Sequence, residues 1–410
     1  FVSGGCHCRR FAYSMAVRCA SPDLAEACIQ LFVGIELRRM NLFILGLLLV
    51  LGTGRVLAAD IVVGQAAPLS GTLASTGKEM VLGAKIYFDS VNAQGGIGGR
   101  RIKHVVKDDG YKTDETVRLT KELIDKDKAV GLIGYAGTGN IAELLKQGVL
   151  AAGNVPLVAP YTGGEPLRKP YNPYIFHIRA GYADEAERMV DQFTSVGLNR
   201  VAVFYQNDAF GLAGLAGVEA ALAKRNLKLA ASGSYEKGSE DVAKAVASIN
   251  QGAPQAIVMI AVMRPAAAFV REYRRQDSGA QIFSISVING PDLFTLAGGT
   301  VPRGVGITQV VPSPVRGTQK VVVEYREALR KYAPQAQPSY TSFEEYLGAK
   351  VLIEGLKRIK GEITPEALLK ALETVDTDLG GFKVRFSPNN RIGSSYIDVT
   401  LLRGDGQLSN

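Results

Sequence analysis

Two glycines and a lysine follow a short buried segment and have the residue types of a phosphate-binding loop. The segment Ile61 to Gly64 predicts a strand, and Gly71, Gly77 and Lys78 come after it. A phosphate-binding loop needs four residues between its glycines and a Ser or Thr after the lysine to bind magnesium. Here five residues separate the glycines and Glu79 follows the lysine. The stretch therefore predicts a strand, a loop and a helix start, and we expect no nucleotide binding.

A second loop has the residue types to bind an anion at the start of a helix. Residues 135–140, reading YAGTGN, connect a predicted strand at Ala129 to Gly134 with a predicted helix at Ile141 to Ala151. Thr138 and the first amides, including that of Gly139, could hold an anion, which a helix N-terminus stabilises by about 0.3 to 1 kcal/mol at exposed sites. Thr138 could equally cap the helix. Both interpretations remain open from this motif alone.

Two further loops combine aromatic and small residues after predicted strands. Tyr161, Thr162 and Gly163 belong to the first, where glycine allows a ligand close to the backbone, and a flexible surface loop is the alternative. Phe210 lies in the second, the polar segment 205–211. An aromatic side chain in a polar loop is less easily explained by core packing than Tyr205 at the strand end.

Residues that could do catalysis are few after Asp60. The only histidines there are His104 and His177, far apart and in strand-like surroundings, so we interpret both as structural. Asp108 and Asp109 could be read as a metal or acid-base pair, but adjacent strand residues point to opposite sides, which favours a turn-capping role before Gly110. The sequence predicts no catalytic, cofactor-binding or metal-binding residues and indicates a protein that is not an enzyme.

The N-terminal 59 residues have a different pattern from the rest. Arg38 and Arg39 precede Met40, an apolar run covers Leu42 to Leu51, and small residues lead to Ala59. This order is typical of a secretory signal peptide, and the run is shorter than the roughly 20 residues that span a bilayer. We interpret residues 1–59 as an upstream extension and signal peptide cleaved near Ala59, with Met40 the expected start; a long presequence is the alternative. Export to a bacterial periplasm follows.

Cysteine usage and charge agree with this interpretation. All four cysteines precede Met40, so the predicted mature chain has no disulfide or thiolate metal site. The net charge is +8, and the six arginines and three acidic residues before Asp60 contribute +3 of it, which leaves +5. Because lysines and arginines are interspersed with acids, we expect a solvated surface and no nucleic-acid binding.

Strands alternate with helices along most of the chain. The alternation predicts parallel sheets with helices on both faces, in one run before the Pro- and Gly-rich segment 160–173 and a second run from about 182 to 309. Residues 310–314 read as a linker, and Thr364-Pro365 opens a short helix in the preferred cap and first-turn order.

Six ordered motifs then carry a family resemblance: DIVVGQAAPLSG, VNAQGGIGGRRI, DDGY, IGYAGTG, PLVAPYTGG and VAVFYQNDAFG. With the leader, they resemble the branched-chain amino-acid-binding (Leu/Ile/Val-binding) type of periplasmic solute-binding protein of ABC transporters, over Asp60 to Asn410. The resemblance implies an α/β type I periplasmic-binding-protein fold, with two doubly wound lobes joined by a three-segment hinge. Lobe one would be 60–179 plus 310–390, and lobe two 180–309 plus 391–410. It also implies ligand capture in the cleft by hinge closure, delivery to an inner-membrane ABC permease, and a monomer.

The resemblance also implies which residues contact the ligand. Thr138 falls on the hydroxyl position that binds the ligand carboxylate, Thr76 on an aromatic position of the cleft, and Phe210 on an aromatic that covers the ligand. Met263 lies where the family commonly has Tyr. The implied ligand-binding residues are Thr76, Thr138, Gly139, Tyr161, Thr162, Gly163, Phe210, Met263 and Ser286.

The positions that would bind an ammonium group depart from the family pattern. Amino-acid binders place a Glu after the strand predicted at Ile282 to Ile285, but Ser286 follows here, and Gly163 replaces a hydroxyl residue. An unpaired buried ammonium costs several kcal/mol. We therefore expect a small carboxylate with an aromatic or aliphatic body. The alternative is a branched-chain or other hydrophobic amino acid, or an amide, with Asp292 as a substitute partner; an exported enzyme is a remote alternative.

Two other classes of protein share this two-lobe fold. A ligand-controlled transcription regulator would carry a helix-turn-helix before the first lobe, where the predicted signal peptide stands. A membrane-tethered receptor would need a spanning helix after the lobes. Neither pattern is found in this sequence.

Overall fold

The computed structural model describes Glu26, Gln30, residues 59–276 and residues 279–409. The predicted signal peptide, Met40 and the four cysteines lie outside these residues. Ala59–Asn410 form one compact unit. Within the described part of the chain, no helix is both long enough and apolar enough to cross a membrane.

The first sheet is entirely parallel and has five strands in the order β2-β1-β3-β4-β5. Its central residues, such as Val63 and Ile133, are fully buried, as expected of strands covered by helices on both faces. The strands are β1 Ile61–Ala67, β2 Ile102–Asp108, β3 Gly131–Ile133, β4 Leu157–Val158 and β5 Ile175–Phe176. The helices between them are α1 Ala74–Ala93, α2 Thr113–Asp125, α3 Thr138–Lys146 and α4 Val149–Gly153.

The second sheet has seven strands in the order β14-β13-β10-β9-β8-β6-β7. Five are parallel, and the two C-terminal strands join at one edge in antiparallel pairs. The strands are β6 Val201–Gln206, β7 Ala231–Tyr235, β8 Ala256–Ile260, β9 Gln281–Ser284, β10 Gly306–Gln309, β13 Asp398–Leu402 and β14 Leu408–Ser409. The helices are α5 Tyr182–Ser195, α6 Ala209–Ala223, α7 Ala243–Gln251, α8 Met263–Arg274 and α9 Gly290–Ala297.

Between β10 and β13 the chain returns to the first sheet. The elements are α10 Lys320–Tyr332, α11 Tyr340–Arg358, α12 Pro365–Leu372 and the antiparallel pair β11 Asp376–Asp378 and β12 Lys383–Arg385. Phe343 and Val384 share one buried core with Ile61 and Phe176 of the first sheet. The predicted α/β class with two doubly wound sheets is confirmed. The exact lobe boundaries stay a prediction.

Three local features show where sequence patterns were sufficient and where they were not. Thr364 caps its helix as predicted, because its side chain accepts a hydrogen bond from the amide of Ala367 at 3.1 Å. The helix predicted at 141–151 is wrong as one element, since Gly148 adopts a φ of 64° between α3 and α4. Helix α9 was not predicted, although Asn289 caps it and a proline lies in its first turn.

Candidate functional site

Loops that leave the carboxyl ends of both sheets meet in one buried cluster. Tyr161 follows β4 of the first sheet, and Phe210 and Val287 follow β6 and β9 of the second. All three belong to the same hydrophobic core with Tyr182, the first residue of α5. Ligands of open α/β sheets bind outside the carboxyl ends of the strands, so this meeting point is the candidate site.

Two threonines form the centre of the side contributed by the first sheet. The hydroxyls of Thr138 and Thr162 share a hydrogen bond of 2.7 Å, and both side chains are fully buried. Thr138 is the first helical residue of α3, after Gly137 at a φ of 96°, so its hydroxyl bonds to Thr162 instead of capping the helix. A Cβ atom on Gly139 would lie 3.9 Å from Ala209, the first residue of α6. The starts of α3 and α6 therefore approach each other across the site.

Tyr182 was missed by sequence reasoning and fills space beside Gly163. A Cβ atom at Gly163 would lie 2.7 Å from Cδ1 and 2.8 Å from the backbone nitrogen of Tyr182. The Tyr182 hydroxyl hydrogen-bonds the side chain of Thr162, and its ring packs edge-on against Phe210 with centroids 5.5 Å apart. Only glycine fits at position 163 without a shift of the neighbouring chain. The absence of a hydroxyl side chain at position 163 is therefore explained by the packing of Tyr182 against Gly163.

A buried arginine, also missed by sequence reasoning, connects loops from both sheets. Arg179 is fully buried between β5 and α5, with its guanidinium 4.8 Å from the ring centroid of Tyr161. Its Nη2 donates to the hydroxyl of Ser286, which follows β9. Its Nε lies 3.4 Å from Oε1 of Glu344 on α11. Ser286 in turn donates to Glu185 from its amide at 2.8 Å and from its hydroxyl at 3.0 Å.

Burial determines the electrostatics of this cluster. It raises the pKa of Glu344 to about 7, although the charge of Arg179 acts in the opposite direction. Burial also raises the pKa of Glu345 well above its usual value. Arg168 donates to the backbone carbonyls of Arg179 and Ala180 at 3.0 and 3.1 Å, and thereby fixes the chain around the arginine. The sequence signal for Arg179 was a charge inside an otherwise apolar stretch.

Thr76 and Met263, two further predicted site residues, lie at the starts of α1 and α8. Thr76 is buried in the first turn of α1, and the neighbouring Ser75 hydrogen-bonds the side chain of Asp292 on α9. Met263 begins α8 but packs in the core of the second sheet with Phe204, not in the cluster of Tyr161 and Phe210. The structure thus brings together most of the predicted site residues but does not bring Met263 into their cluster.

Polar side chains also link the two sheets beside the threonines. Lys237, after β7, donates to Oδ1 of Asn140 on α3 at 2.7 Å, and its ammonium lies 4.0 Å from the ring centroid of Tyr111. Gln206 Nε2 donates to the hydroxyl of Tyr111 at 3.3 Å. The motif DDGY thus contributes Tyr111 to the contact between the sheets.

The two aspartates of that motif cap turns, as predicted. Asp108 Oδ1 accepts from the amides of Leu69 and Gly110 at 2.8 and 2.9 Å. Asp109 Oδ1 accepts from the amide of Tyr111 at 2.9 Å, and its Oδ2 accepts from a threonine hydroxyl. Their oxygens are therefore used by the local fold.

The histidines contact their immediate surroundings rather than each other. His104 Nε2 lies 3.0 Å from Oε1 of Gln65 on the neighbouring strand, and burial lowers the pKa of His104 to about 4. His177 Nε2 lies 3.3 Å from the carbonyl oxygen of Leu167. These contacts support their interpretation as structural residues.

Comparison with known proteins identifies the family. The family model described as periplasmic binding protein matches residues 60–407. The chain belongs to this family. A substrate-binding periplasmic protein from Ralstonia solanacearum is 36% identical, with a TM-score of 0.82 over 85% of this chain and 99% of that one. A possible leucine/isoleucine/valine-binding protein from Rhodopirellula baltica is 27% identical, with a TM-score of 0.83 over 87% and 98%.

A curated relative in Brucella abortus has a related name. The Leu/Ile/Val-binding protein homolog 7 is 25% identical over 363 residues, which cover 82% of this chain and 87% of that protein. The predicted resemblance and the type I periplasmic-binding-protein fold are thus confirmed. Periplasmic binding proteins are exported, substrate-binding components of transport systems, and this chain is one of them by family.

Proposed function

We propose that this protein is the extracytoplasmic substrate-binding component of an ABC importer and that its ligand is a branched-chain or other hydrophobic amino acid. It would act in the periplasm after cleavage near Ala59, as a monomer without catalytic activity, and deliver ligand to an inner-membrane permease. The residues that contact the ligand would be those around Thr138, Tyr161 and Phe210.

One observation carries this proposal: loops from the carboxyl ends of both sheets meet around buried polar and aromatic side chains. Tyr161, Tyr182 and Phe210 provide apolar surface, and Thr138 and Thr162 provide hydroxyls, beside the free amides of a helix start. A mostly apolar site with a few convergent polar groups is typical of small-molecule binding. The Leu/Ile/Val-binding name of the Brucella relative supports an amino acid among small molecules.

An amino acid needs a partner for its ammonium, and Asp292 has the chemistry for that role. Burial raises the pKa of Asp292, while the hydrogen bond from Ser75 acts in the opposite direction. A ligand ammonium beside this carboxylate would favour its charged form and form a charge-assisted hydrogen bond. Asp292 is hydrogen-bonded to Ser75, the neighbour of Thr76. Its position supports Asp292 as the ammonium partner in place of the glutamate that amino-acid binders of the family have.

A second candidate is a carboxylic acid without an ammonium group. It is favoured by Ser286, which stands where amino-acid binders of the family have a glutamate, and by Gly163, where Tyr182 leaves no space for a hydroxyl side chain. Both candidates carry a carboxylate. They differ only in whether the site requires the ammonium.

Calorimetry with matched ligands distinguishes the candidates. L-leucine, 4-methylpentanoate and L-leucinamide share one side chain and differ in the ammonium or the carboxylate. If an amino acid is the ligand, leucine or a close analogue binds and the acid binds far more weakly; the reverse order favours the acid. Thermal unfolding is a second measurement, because a ligand at 100 times its Kd stabilises a protein by about 2.7 kcal/mol. Turnover of any of these ligands would contradict a purely binding role.

A further inference from the structure

Arg179 is a buried cation whose hydrogen-bonding groups are only partly used. Its side chain is fully buried, yet Nη1 and Nε have no hydrogen-bond partner among the described residues. Nη2 donates one of its two N–H groups to Ser286. A guanidinium has five N–H donors, and buried donors in proteins are normally paired. The side chain therefore has the capacity for a further acceptor.

Glu344 is the nearest acidic group and is a poor partner for Arg179. The contact of 3.4 Å between Arg179 Nε and Glu344 Oε1 lacks hydrogen-bond geometry, and Oε1 also has no hydrogen-bond partner among the described residues. Burial favours the neutral form of the Glu344 carboxyl group, whose pKa is raised to about 7. Below that pH, Glu344 contributes little negative charge to balance the arginine.

Other charged groups surround Arg179, but among the described residues none is hydrogen-bonded to its Nη1 or Nε. Glu185, on α5, accepts two hydrogen bonds from Ser286, which stands between it and the guanidinium. Arg168 adds a second buried positive charge and donates to the backbone of residue 179. Arg168 also interacts with the carboxylates of Glu165 and Asp184, and Arg179 with the carboxyl group of Glu345. The opening for a ligand carboxylate is therefore given by the unpaired N–H groups of Arg179 and not by an excess of positive charge.

We propose that Arg179 binds the carboxylate of the ligand and makes the site selective for acids over the corresponding amides. Arg179 is adjacent to the predicted binding residues on both sides, through the ring of Tyr161 and the hydroxyl of Ser286. Its guanidinium can bind a carboxylate through two parallel hydrogen bonds, an arrangement a threonine hydroxyl cannot provide. Thr138 and Thr162, whose hydroxyls bond to each other, then have a supporting role. This inference rests on the proposed function and deepens it.

The test compares each acid with its own amide in wild-type and variant proteins. Calorimetry with L-leucine and L-leucinamide, and with L-phenylalanine and L-phenylalaninamide, gives a ratio of Kd values for each protein. Arg179→Met should weaken acid binding about 100-fold, within the range for removing a charge-assisted pair, and should change amide binding much less. Arg179→Lys keeps the positive charge but not the planar guanidinium, so its ratio of acid to amide Kd values should be intermediate. This variant also provides the test if Arg179→Met does not fold.

Arg391→Met is the matched control. Arg391 is a buried arginine paired with Glu373 and stacked on Phe176, and it makes its contacts away from the candidate site. Its loss should lower stability without changing the acid-to-amide ratio. If both Arg179 variants keep the wild-type ratio, Arg179 is only structural and the inference is overturned. If the wild-type protein binds none of the acids, the proposed function is overturned and the inference with it, whereas acid binding that survives in the variants overturns the inference alone.

Discussion

The carboxyl group of Glu344 lies among buried charges, and its protonation should make folding stability depend on pH. Burial raises its pKa from 4.5 to about 7; the charges of Arg179 and Arg168 act in the opposite direction, and Glu185 adds to the increase. The folded protein therefore retains this proton up to about pH 7, whereas the unfolded chain releases it near pH 4.5. Between these values the folded state binds more protons than the unfolded state, so stability falls as pH rises.

The magnitude follows from the change in pKa. One unit corresponds to about 1.4 kcal/mol, so the increase to about 7 removes about 3 kcal/mol of stability once the pH is well above 7. The substitution Glu344→Gln keeps the size and polarity of the side chain but cannot titrate. We consider the free energy of unfolding of the variant minus that of the wild type. This difference should be about 3 kcal/mol larger at pH 8 than at pH 4. Glu345 titrates in both proteins, and because the charge of Glu344 raises the pKa of Glu345 in the wild type, this coupling changes the difference in the same direction.

Urea unfolding at intervals between about pH 4 and about pH 8 measures this difference, with linear extrapolation at each pH. Glu362→Gln is the control, because Glu362 is exposed and its loss should shift stability by the same small amount at every pH. A constant difference between wild type and Glu344→Gln across the range would refute the reasoning. It would mean that the pKa of Glu344 is the same in the folded and unfolded states, so that burial does not raise it.

Two further substitutions test the walls of the site. Thr76→Trp places an indole at a buried position in the first turn of α1 and should abolish leucine binding in calorimetry. Lys78 is exposed on the same turn, so Lys78→Trp should leave leucine binding unchanged. Equal affinity of the two variants for leucine would place Thr76 outside the pocket. Gly163→Ala should lower the free energy of unfolding by about 1 to 3 kcal/mol, because its Cβ would lie 2.8 Å from the backbone nitrogen of Tyr182. In Gly139→Ala the nearest atom to the new Cβ is 3.9 Å away, so the free energy of unfolding should not fall. Equal stability of the two variants would contradict this packing argument.

The fold could be predicted largely because its signals are local. The strand predicted at Ala256 to Ile260 has those bounds in the structure, since five consecutive apolar residues are fully buried between helical layers. Helix α9 had signals that were overlooked, with Asn289 as cap and a proline in the first turn. The break at Gly148 was visible only as a glycine inside a helical pattern. Its left-handed conformation depends on how α3 and α4 pack.

The candidate site was predictable only in part because its residues come from distant segments. Loops after strands could be located by the rule that ligands bind at the carboxyl ends, which is how Thr138 and Tyr161 were found. Arg179, Ser286 and Glu344 are each separated by more than 50 residues, and neither the chain crossing at 179 nor the packing of α11 can be read from local periodicity. For Arg179 the available signal was a charge in an apolar stretch. Such a charge indicates that the side chain has a buried partner but does not show which residue the partner is.

The contacts between the two sheets differ in how they should respond to the proposed hinge closure. Lys237 with Asn140, and Gln206 with Tyr111, are single polar contacts between side chains of facing loops. The neutral contact contributes about 0.5 to 1.5 kcal/mol and the one from the lysine ammonium about 1.5 to 3 kcal/mol, since the same groups can bond to water when the sheets separate. Arg179 differs because it is buried with unused donors, so closure without a ligand leaves those donors unpaired. A ligand shifts a conformational equilibrium only by its differential affinity for the two states. Under the proposal made here, a carboxylate bound by Arg179 would supply that difference, because it would pair donors that are buried in this structure.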